Sequence, residues 1–191
     1  MRRRGDPLGR PRIRFHMSFE PRRKNLRLEG FDYAQEGAYF ITICTHNRTC
    51  SLAKVTDNEV RLNNWGRVVE SEWRQTAILR PYVTLDAYVV MPNHFHAIIF
   101  LQHQERATQR VAPTEEKPAT GPKSASVGAI VGQFKAQVTK RINALWGPAI
   151  EPIWQRNYYE HIIRDEDDLN RIREYIEYNP VRWLEDEYYA S

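Results

Sequence analysis

Apolar residues recur along the chain with two different periods, and the shorter period predicts strands. Valine, isoleucine and aromatic residues suit a pleated and largely buried surface, and they fill several short runs. We therefore predict strands over residues 38–45, 83–91 and 94–101, two short extended pieces around a turn within 55–62, and an extended aromatic stretch over 153–163.

The second period, in steps of three and four residues, predicts three amphipathic helices. The first runs from an N-cap at Asn64 to about Leu79, and the second follows Ser126. The third opens at Asp165 and is closed by Pro180, because a residue before proline is pushed out of helical geometry. The order strand, strand, helix, strand, strand, helix, strand, helix predicts an α+β fold, in which helices pack on an antiparallel sheet.

Two segments fall outside this pattern, and one of them is strongly charged. We predict a disordered arm over residues 1–29, and a flexible insert at about 102–125 within a domain spanning 30–191. Residues 1–30 hold ten Lys and Arg against three acids, a balance of +7, although the whole chain carries only +4. Such an arm is typical of a polyanion-binding tail, but a merely solubilising extension would carry the same charge.

Composition predicts a cytoplasmic protein with a core of its own. Hydrophobic residues make up 41% of the 191 residues, and no apolar run is long enough to span a bilayer or to form a signal peptide. We therefore expect no membrane association. Cys44 and Cys50 are the only cysteines, which is typical of a reducing compartment. Cys44-x-His46-x-x-x-Cys50 offers three zinc ligands, but no fourth lies nearby.

The candidate chemistry lies on the predicted strand 94–101. Because side chains alternate along a strand, His94 and His96 share one face about 7 Å apart, while Phe95 faces the other side. Two neutral imidazoles on one face can share a metal ion. The alternative is a pair of core histidines that bond to backbone carbonyls.

Two motifs in this chain resemble those of a known family. Pro92-Asn93-His94-Phe95-His96 is similar to the histidine–hydrophobe–histidine motif of the single-tyrosine HUH transposases. Residues 154–164 and 175–180 resemble the later part of the same family. Tyr175-x-x-x-Asn179 is closest to the nucleophile motif of its REP-associated tyrosine transposases. The resemblance runs from about 30 to 183 and implies a ferredoxin-like or RRM-like sheet core.

The resemblance also implies a site and a reaction. His94, His96 and Asn179 would hold a divalent metal, Mg²⁺ or Mn²⁺. Tyr175 would attack single-stranded DNA near a hairpin and form a 5′-phosphotyrosine, as a DNA-nicking and strand-joining enzyme does. Other tyrosines compete for the role of nucleophile, namely Tyr158, Tyr159 and Tyr178.

Further residues are candidate contacts to DNA phosphates. They are basic residues of the arm and of the second helix: Arg22, Arg23, Lys24, Lys135, Lys140 and Arg141. A solvated helix face is the alternative for the last three, and the sequence leaves a monomer and a homo-oligomer both open. Two other functions compete with the strand transferase. One is a non-catalytic DNA-binding regulator on the same fold, and the other is a small His-metal hydrolase, for which the sequence shows neither an acidic ligand nor an obvious base in the right place.

Overall fold

The computed structural model describes residues 34–102, 125–186 and 188–189. Six strands and three α-helices lie in this part of the chain. The strands are β1 (Gly37–Cys44), β2 (Ala53–Thr56), β3 (Glu59–Leu62), β4 (Val83–Val90), β5 (His94–Leu101) and β6 (Tyr159–Ile163). The helices are α1 (Asn64–Leu79), α2 (Val127–Trp146) and α3 (Glu166–Tyr178).

Four of the strands form one antiparallel sheet in the order β4-β5-β1-β6, and β2 and β3 form a separate hairpin. With the hairpin set aside, the chain order β1-α1-β4-β5-α2-β6 is the split βαβ arrangement of ferredoxin-like folds. The prediction of an α+β fold with helices packed on an antiparallel sheet is confirmed.

Alternation along β5 divides the core into two layers, one on each face of the sheet. Phe95 faces α1 and α2, where its ring packs 5.0 Å from Trp73 and 5.5 Å from Phe134. On the other face, Ile98 packs with residues of α3. His94 and His96 share one face of β5, as predicted, and it is the face on which α3 packs. The sheet therefore separates a large apolar core from a smaller layer that contains the histidines.

The structure corrects two predicted helix ends. The N-cap of α1 is Asn63 rather than Asn64, since the Asn63 side chain accepts a hydrogen bond from Gly66 N at 3.0 Å. The argument that Pro180 forces the preceding residue out of helical geometry was wrong, because Asn179 keeps φ −57° and ψ −42°. The backbone goes on as a turn, in which Arg182 N donates to the carbonyl of Asn179 at 3.2 Å. The side chain of Asn179 therefore stays in line with the preceding helical turn.

Two other predictions concern extended segments. The pieces within 55–62 belong to the β2–β3 hairpin, and Asp57 and Asn58 form its turn with positive φ values of 55° and 63°. The aromatic stretch 153–163 is a strand only in its last five residues, although Trp154 makes an isolated bridge to Thr45.

The predicted arm and nearly all of the predicted insert lie outside the described residues. In the part of the chain that the structure describes, no helix is both long enough and apolar enough to cross a membrane.

Candidate active site

Strand β5 and helix α3 bring two histidines and one tyrosine together in a buried site. The rings of His94 and His96 lie 4.4 Å apart, and their side chains are 0% and 1% exposed. Tyr175 projects from α3 toward the same strand, and its hydroxyl oxygen lies 3.4 Å from His96 Nε2. The side chains of the two motifs, which are about eighty residues apart in sequence, therefore meet in one site.

Thr42 on the neighbouring strand β1 orients His96. The two residues are directly paired across the strands, and Thr42 Oγ1 lies 2.8 Å from His96 Nδ1. If Nδ1 carries the proton and donates to this hydroxyl, Nε2 keeps the lone pair that faces Tyr175. An oxygen partner on the outer ring nitrogen is the usual way in which proteins orient a metal-binding histidine.

Asn93 orients His94 in the same way, and its own contacts fix which nitrogen is protonated. The amide nitrogen of Asn93 donates to two backbone carbonyls, of Arg48 at 3.1 Å and of Tyr188 at 2.6 Å. Its Oδ1 therefore turns to His94 Nδ1, 2.9 Å away, and accepts a hydrogen bond from a protonated Nδ1. This leaves His94 Nε2 as an unprotonated nitrogen. The bonds of both histidines go to side-chain oxygens, not to the backbone carbonyls that the core-histidine alternative requires.

Asn179 and Asp186 complete the cluster. Asn179 lies one helical turn after Tyr175, is 2% exposed, and donates from Nδ2 to Asp186 Oδ2 at 2.8 Å. Three ligand atoms lie within 4.8 Å of one another, one each from His94, His96 and Asp186. Sequence reasoning missed Asp186, because it follows the α3 motif and falls outside any recognised spacing. Its presence also removes one of the two grounds on which the hydrolase was set aside, namely the lack of an acidic ligand.

Burial keeps both imidazoles neutral. It lowers the pKa of His94 to about 3, an effect that the nearby Asn179 side chain opposes and the Arg48 guanidinium strengthens. Burial, followed by the neighbouring His94, also holds the pKa of His96 well below its usual range. For Asp186, burial raises the pKa of the carboxyl group. Neutral rings near pH 7 present lone pairs, which is the state that metal ligation needs.

The donor atoms fit a divalent metal ion. His94 Nε2 and Asn179 Oδ1 are both buried and have no hydrogen-bond partner among the described residues. Leaving buried polar atoms unpaired is costly, and a missing ligand is one of the common reasons for it. Two imidazole nitrogens with an amide or carboxylate oxygen form a mixed N/O set of the kind that first-row divalent ions accept.

The C-terminal segment covers the histidines. The ring of Tyr188 lies 4.8 Å from that of His94 and 5.9 Å from that of His96. Trp183 lies 5.9 Å from His94, and the guanidinium carbon of Arg48 lies 5.1 Å from the centre of the Tyr188 ring. Aromatic rings therefore shield the two imidazoles from solvent.

An ion pair between Arg173 and Asp86 ties α3 to strand β4. Arg173 donates two hydrogen bonds to Asp86, at 3.0 Å and 2.6 Å. Asp86 lies at a bulge, because the pairing of β4 with β5 shifts between Leu85 and Tyr88. Hydrogen bonding to Arg173 lowers the pKa of Asp86 despite partial burial. This two-point contact limits rotation of α3 and so keeps Tyr175 turned toward His96.

The competing tyrosines have other surroundings. Tyr158 donates to Glu160 Oε2 at 2.7 Å, and the ring of Tyr159 lies 6.4 Å from that of Phe40. Tyr178 lies on α3 but is 41% exposed. Among the described residues, His94, His96 and Asp186 form the only metal-compatible group of His, Cys, Asp and Glu, so the Cys44, His46 and Cys50 pattern forms none.

The basic residues proposed as DNA contacts differ in whether their side chains already bond to other protein groups. Lys135 Nζ donates to the carbonyls of Gln155 at 2.5 Å and Arg156 at 3.0 Å, and burial lowers its pKa. Arg141 bonds to Glu72 of α1 at 2.7 Å, whereas Lys140 is exposed. The three basic residues of the arm lie outside the described residues: Arg22, Arg23 and Lys24. Their DNA-binding role stays a prediction.

Comparison with known proteins gives two relatives from Haemophilus influenzae. An uncharacterised protein is 39% identical over 172 residues, covering 88% of this chain and 94% of that protein. A second, named "Putative REP-associated tyrosine transposase", is 30% identical over 156 residues, covering 79% of this chain and 74% of that protein. No protein-family model matches the chain.

A solved structure shares the fold. It is that of a REP-associated tyrosine transposase bound to a REP hairpin, with a TM-score of 0.51 and 22% sequence identity. The match covers 76% of this chain and 67% of that one.

Proposed function

The chain belongs to the family of the REP-associated tyrosine transposases, and from this premise we propose that it cleaves and rejoins single-stranded DNA at hairpin-associated sites. Tyr175 is the nucleophile, and His94, His96 and Asn179 hold a divalent metal, Mg²⁺ or Mn²⁺. The observation that carries the proposal is the 3.4 Å approach of the Tyr175 hydroxyl to His96 Nε2 in a site with unpaired ligand atoms.

The reaction is a transesterification at phosphorus. The Tyr175 oxygen forms a bond to the scissile phosphorus and loses its proton, while the bond from phosphorus to the 3′ oxygen breaks and that oxygen leaves as a hydroxyl. The product is a 5′-phosphotyrosine. A 3′-hydroxyl attacks this ester in the reverse sense and releases Tyr175, so strands rejoin without ATP. A bound divalent ion would polarise a non-bridging phosphate oxygen and stabilise developing charge.

Residues around the site hold these groups in place. Asn93 and Thr42 contact the Nδ1 atoms of His94 and His96, so the Nε2 atom of each ring is the one that faces the cluster. The contact of Arg173 with Asp86 fixes the helix that carries Tyr175. Small displacements of a nucleophile are costly in rate, so this support matters as much as the identity of the groups.

Two findings support DNA of this kind as the substrate. The solved structure with the same fold is bound to a REP hairpin. The first 30 residues carry a balance of +7, which suits a polyanion.

The test is formation of a covalent adduct with labelled single-stranded hairpin libraries in the presence of Mn²⁺. Tyr175→Phe removes one oxygen and keeps the ring, so it is expected to bind hairpin DNA normally and to form no adduct. Tyr178→Phe is the matched control on the same helix, because that side chain is exposed, and it is expected to form adduct at the wild-type level.

Mass spectrometry of the wild-type adduct is expected to place the nucleotide on Tyr175. A nucleotide on Tyr158, Tyr159 or Tyr178 would contradict the assignment of the nucleophile and leave the reaction class intact.

One observation favours a second function, a non-catalytic DNA-binding regulator. The two histidines lie beneath Tyr188 and Trp183 and are almost fully buried. DNA binding without adduct on any hairpin or metal ion would support this regulator and contradict the strand transferase. For the small hydrolase, the presence of Asp186 is the sole structural support, and family membership speaks against it.

A further inference from the structure

Asp186 lies in the candidate site although neither motif includes it. After α3 the chain makes a 3₁₀ turn at Trp183–Glu185, which returns Asp186 to the side chain of Asn179. Both carboxylate oxygens accept a hydrogen bond. Oδ2 accepts from Asn179 Nδ2 at 2.8 Å, and Oδ1 accepts from the backbone N–H of Tyr188 at 2.7 Å.

This arrangement determines the orientation of the Asn179 side-chain amide, that is, where its oxygen and its nitrogen lie. Asp186 Oδ2 accepts a hydrogen bond from Asn179 Nδ2, so the NH₂ group of Asn179 faces Asp186. Its Oδ1 must then face away from Asp186, and it is there a buried atom without a hydrogen-bond partner among the described residues. The other orphaned atom of the site is the buried His94 Nε2.

We propose that Asp186 is a positioning residue, which holds the Asn179 amide so that its oxygen faces away from Asp186 and is available to the metal ion. The inference rests on the proposed function, because it assigns a role within the same metal site. With this role assigned, each proposed ligand has one partner that contacts it through an oxygen atom. The pairs are Asn93 with His94, Thr42 with His96, and Asp186 with Asn179.

The competing role for Asp186 is that of a direct ligand, since its carboxylate lies within 4.8 Å of the histidine nitrogens. The hydrogen bonds favour positioning. Each oxygen of Asp186 already accepts an N–H group, whereas Asn179 Oδ1 accepts none. The two roles differ in what they require from residue 186. Positioning needs an oxygen that accepts from Asn179 Nδ2, while direct ligation needs the negative charge.

The experiment measures Mn²⁺ binding to the full chain without DNA, by the electron paramagnetic resonance signal of the free ion. Asp186→Ala is expected to weaken Mn²⁺ affinity about 10- to 100-fold, the usual effect of losing a residue that orients a ligand. Asp186→Asn keeps an oxygen that can accept from Asn179, and is expected to lose less than about tenfold, the lower limit for losing such a residue. Glu185→Ala is the matched control, since it removes the neighbouring, exposed carboxylate.

The outcomes separate the alternatives. Equal and large losses in Asp186→Ala and Asp186→Asn would make Asp186 a direct ligand and overturn the inference. Wild-type affinity in Asp186→Ala would overturn it too, and would leave the metal site of the proposed function intact. If the wild-type chain itself binds no Mn²⁺, the metal part of the proposed function fails together with the inference.

A second variant keeps the inference falsifiable should Asp186→Ala not fold. Asn179→Asp replaces the donating NH₂ group with a carboxylate oxygen directly opposite Asp186. Two facing carboxylates repel, so the metal-free variant is expected to melt at a lower temperature than wild type, and saturating Mn²⁺ is expected to recover most of the loss. An unchanged melting temperature without metal would contradict the contact on which the inference depends.

Discussion

At the scale of single residues, the site depends on which ring nitrogen of each histidine carries the proton. Asn93 and Thr42 contact the Nδ1 atoms of the two rings, and neither is among the proposed metal ligands. Thr42 is 2% exposed and contacts His96 through a single hydroxyl oxygen. A change of one atom in that side chain therefore tests the argument with little effect on packing.

Thr42→Val replaces that hydroxyl with a methyl group of similar size. His96 Nδ1 then lacks its oxygen partner, and the proton is free to move to Nε2, the nitrogen that faces the site. We expect Mn²⁺ affinity to fall about tenfold and the free energy of unfolding to fall by about 1–2 kcal/mol.

Thr42→Ser keeps the hydroxyl and serves as the control. It is expected to hold the affinity near the wild-type value, while losing about 1 kcal/mol for the missing methyl group. Titration with Mn²⁺, followed by electron paramagnetic resonance, measures the affinity. Urea denaturation measures the free energy of unfolding. Wild-type affinity in Thr42→Val would show that the Nδ1 contact does not orient the ring.

At the scale of elements, helices are held to the rest of the fold by close local contacts. Arg173 and Asp86 link α3 to β4, and the N-terminus of α1 rests on the segment that leads into the hairpin. There the carbonyl of Leu52 accepts a hydrogen bond from Asn63 N at 3.0 Å. Gly66 lies in the first turn of α1, and a Cβ added to it would stand 2.2 Å from that same carbonyl oxygen.

Gly66→Ala is therefore expected to destabilise the protein, by about 2 kcal/mol or more, because backbone must move to admit the methyl group. Gly132→Ala is the matched control in the middle of α2, where an added Cβ meets nothing within 4 Å. Alanine favours the helix over glycine there, so this control is expected to gain about 0.5–1 kcal/mol. Urea denaturation of both variants measures the difference, and an equal effect at the two glycines would contradict the close approach.

At the scale of the whole molecule, charge is distributed unevenly along the chain. The first 30 residues carry a balance of +7, whereas the chain as a whole carries +4. On the folded domain, several basic side chains are already engaged by protein groups, such as Lys135 with two carbonyls and Arg141 with Glu72. The arm therefore holds the largest share of the basic charge proposed for DNA.

Deletion of residues 1–29 is expected to weaken hairpin binding and to flatten its dependence on salt, because fewer phosphate charges would be neutralised. The chemical step on saturating DNA is expected to stay close to the wild-type rate, since Tyr175 and the histidines lie on the folded domain. Binding isotherms at several salt concentrations and single-turnover adduct formation measure the two effects. A salt slope that survives the deletion would show that the arm contacts no phosphates.

The sequence alone determined the fold class, most element boundaries and the histidine face. Buried strands and amphipathic helices follow from apolar periods that depend on a few neighbouring residues, so they can be read locally. The shared face of His94 and His96 follows from strand geometry alone. The family followed from two short motifs, and the relatives confirmed it.

Tertiary structure alone decided what surrounds those residues. Thr42 reaches His96 because β1 pairs with β5 in one register, and Asp186 reaches Asn179 because the chain turns back after Pro180. Neither pairing leaves a local signal, since each depends on where separate segments meet in space. The turn itself contradicted the proline rule, because Asn179 kept helical angles. The residues that carry the proposed chemistry were thus identifiable from the sequence, while the fold determined the partners that orient them.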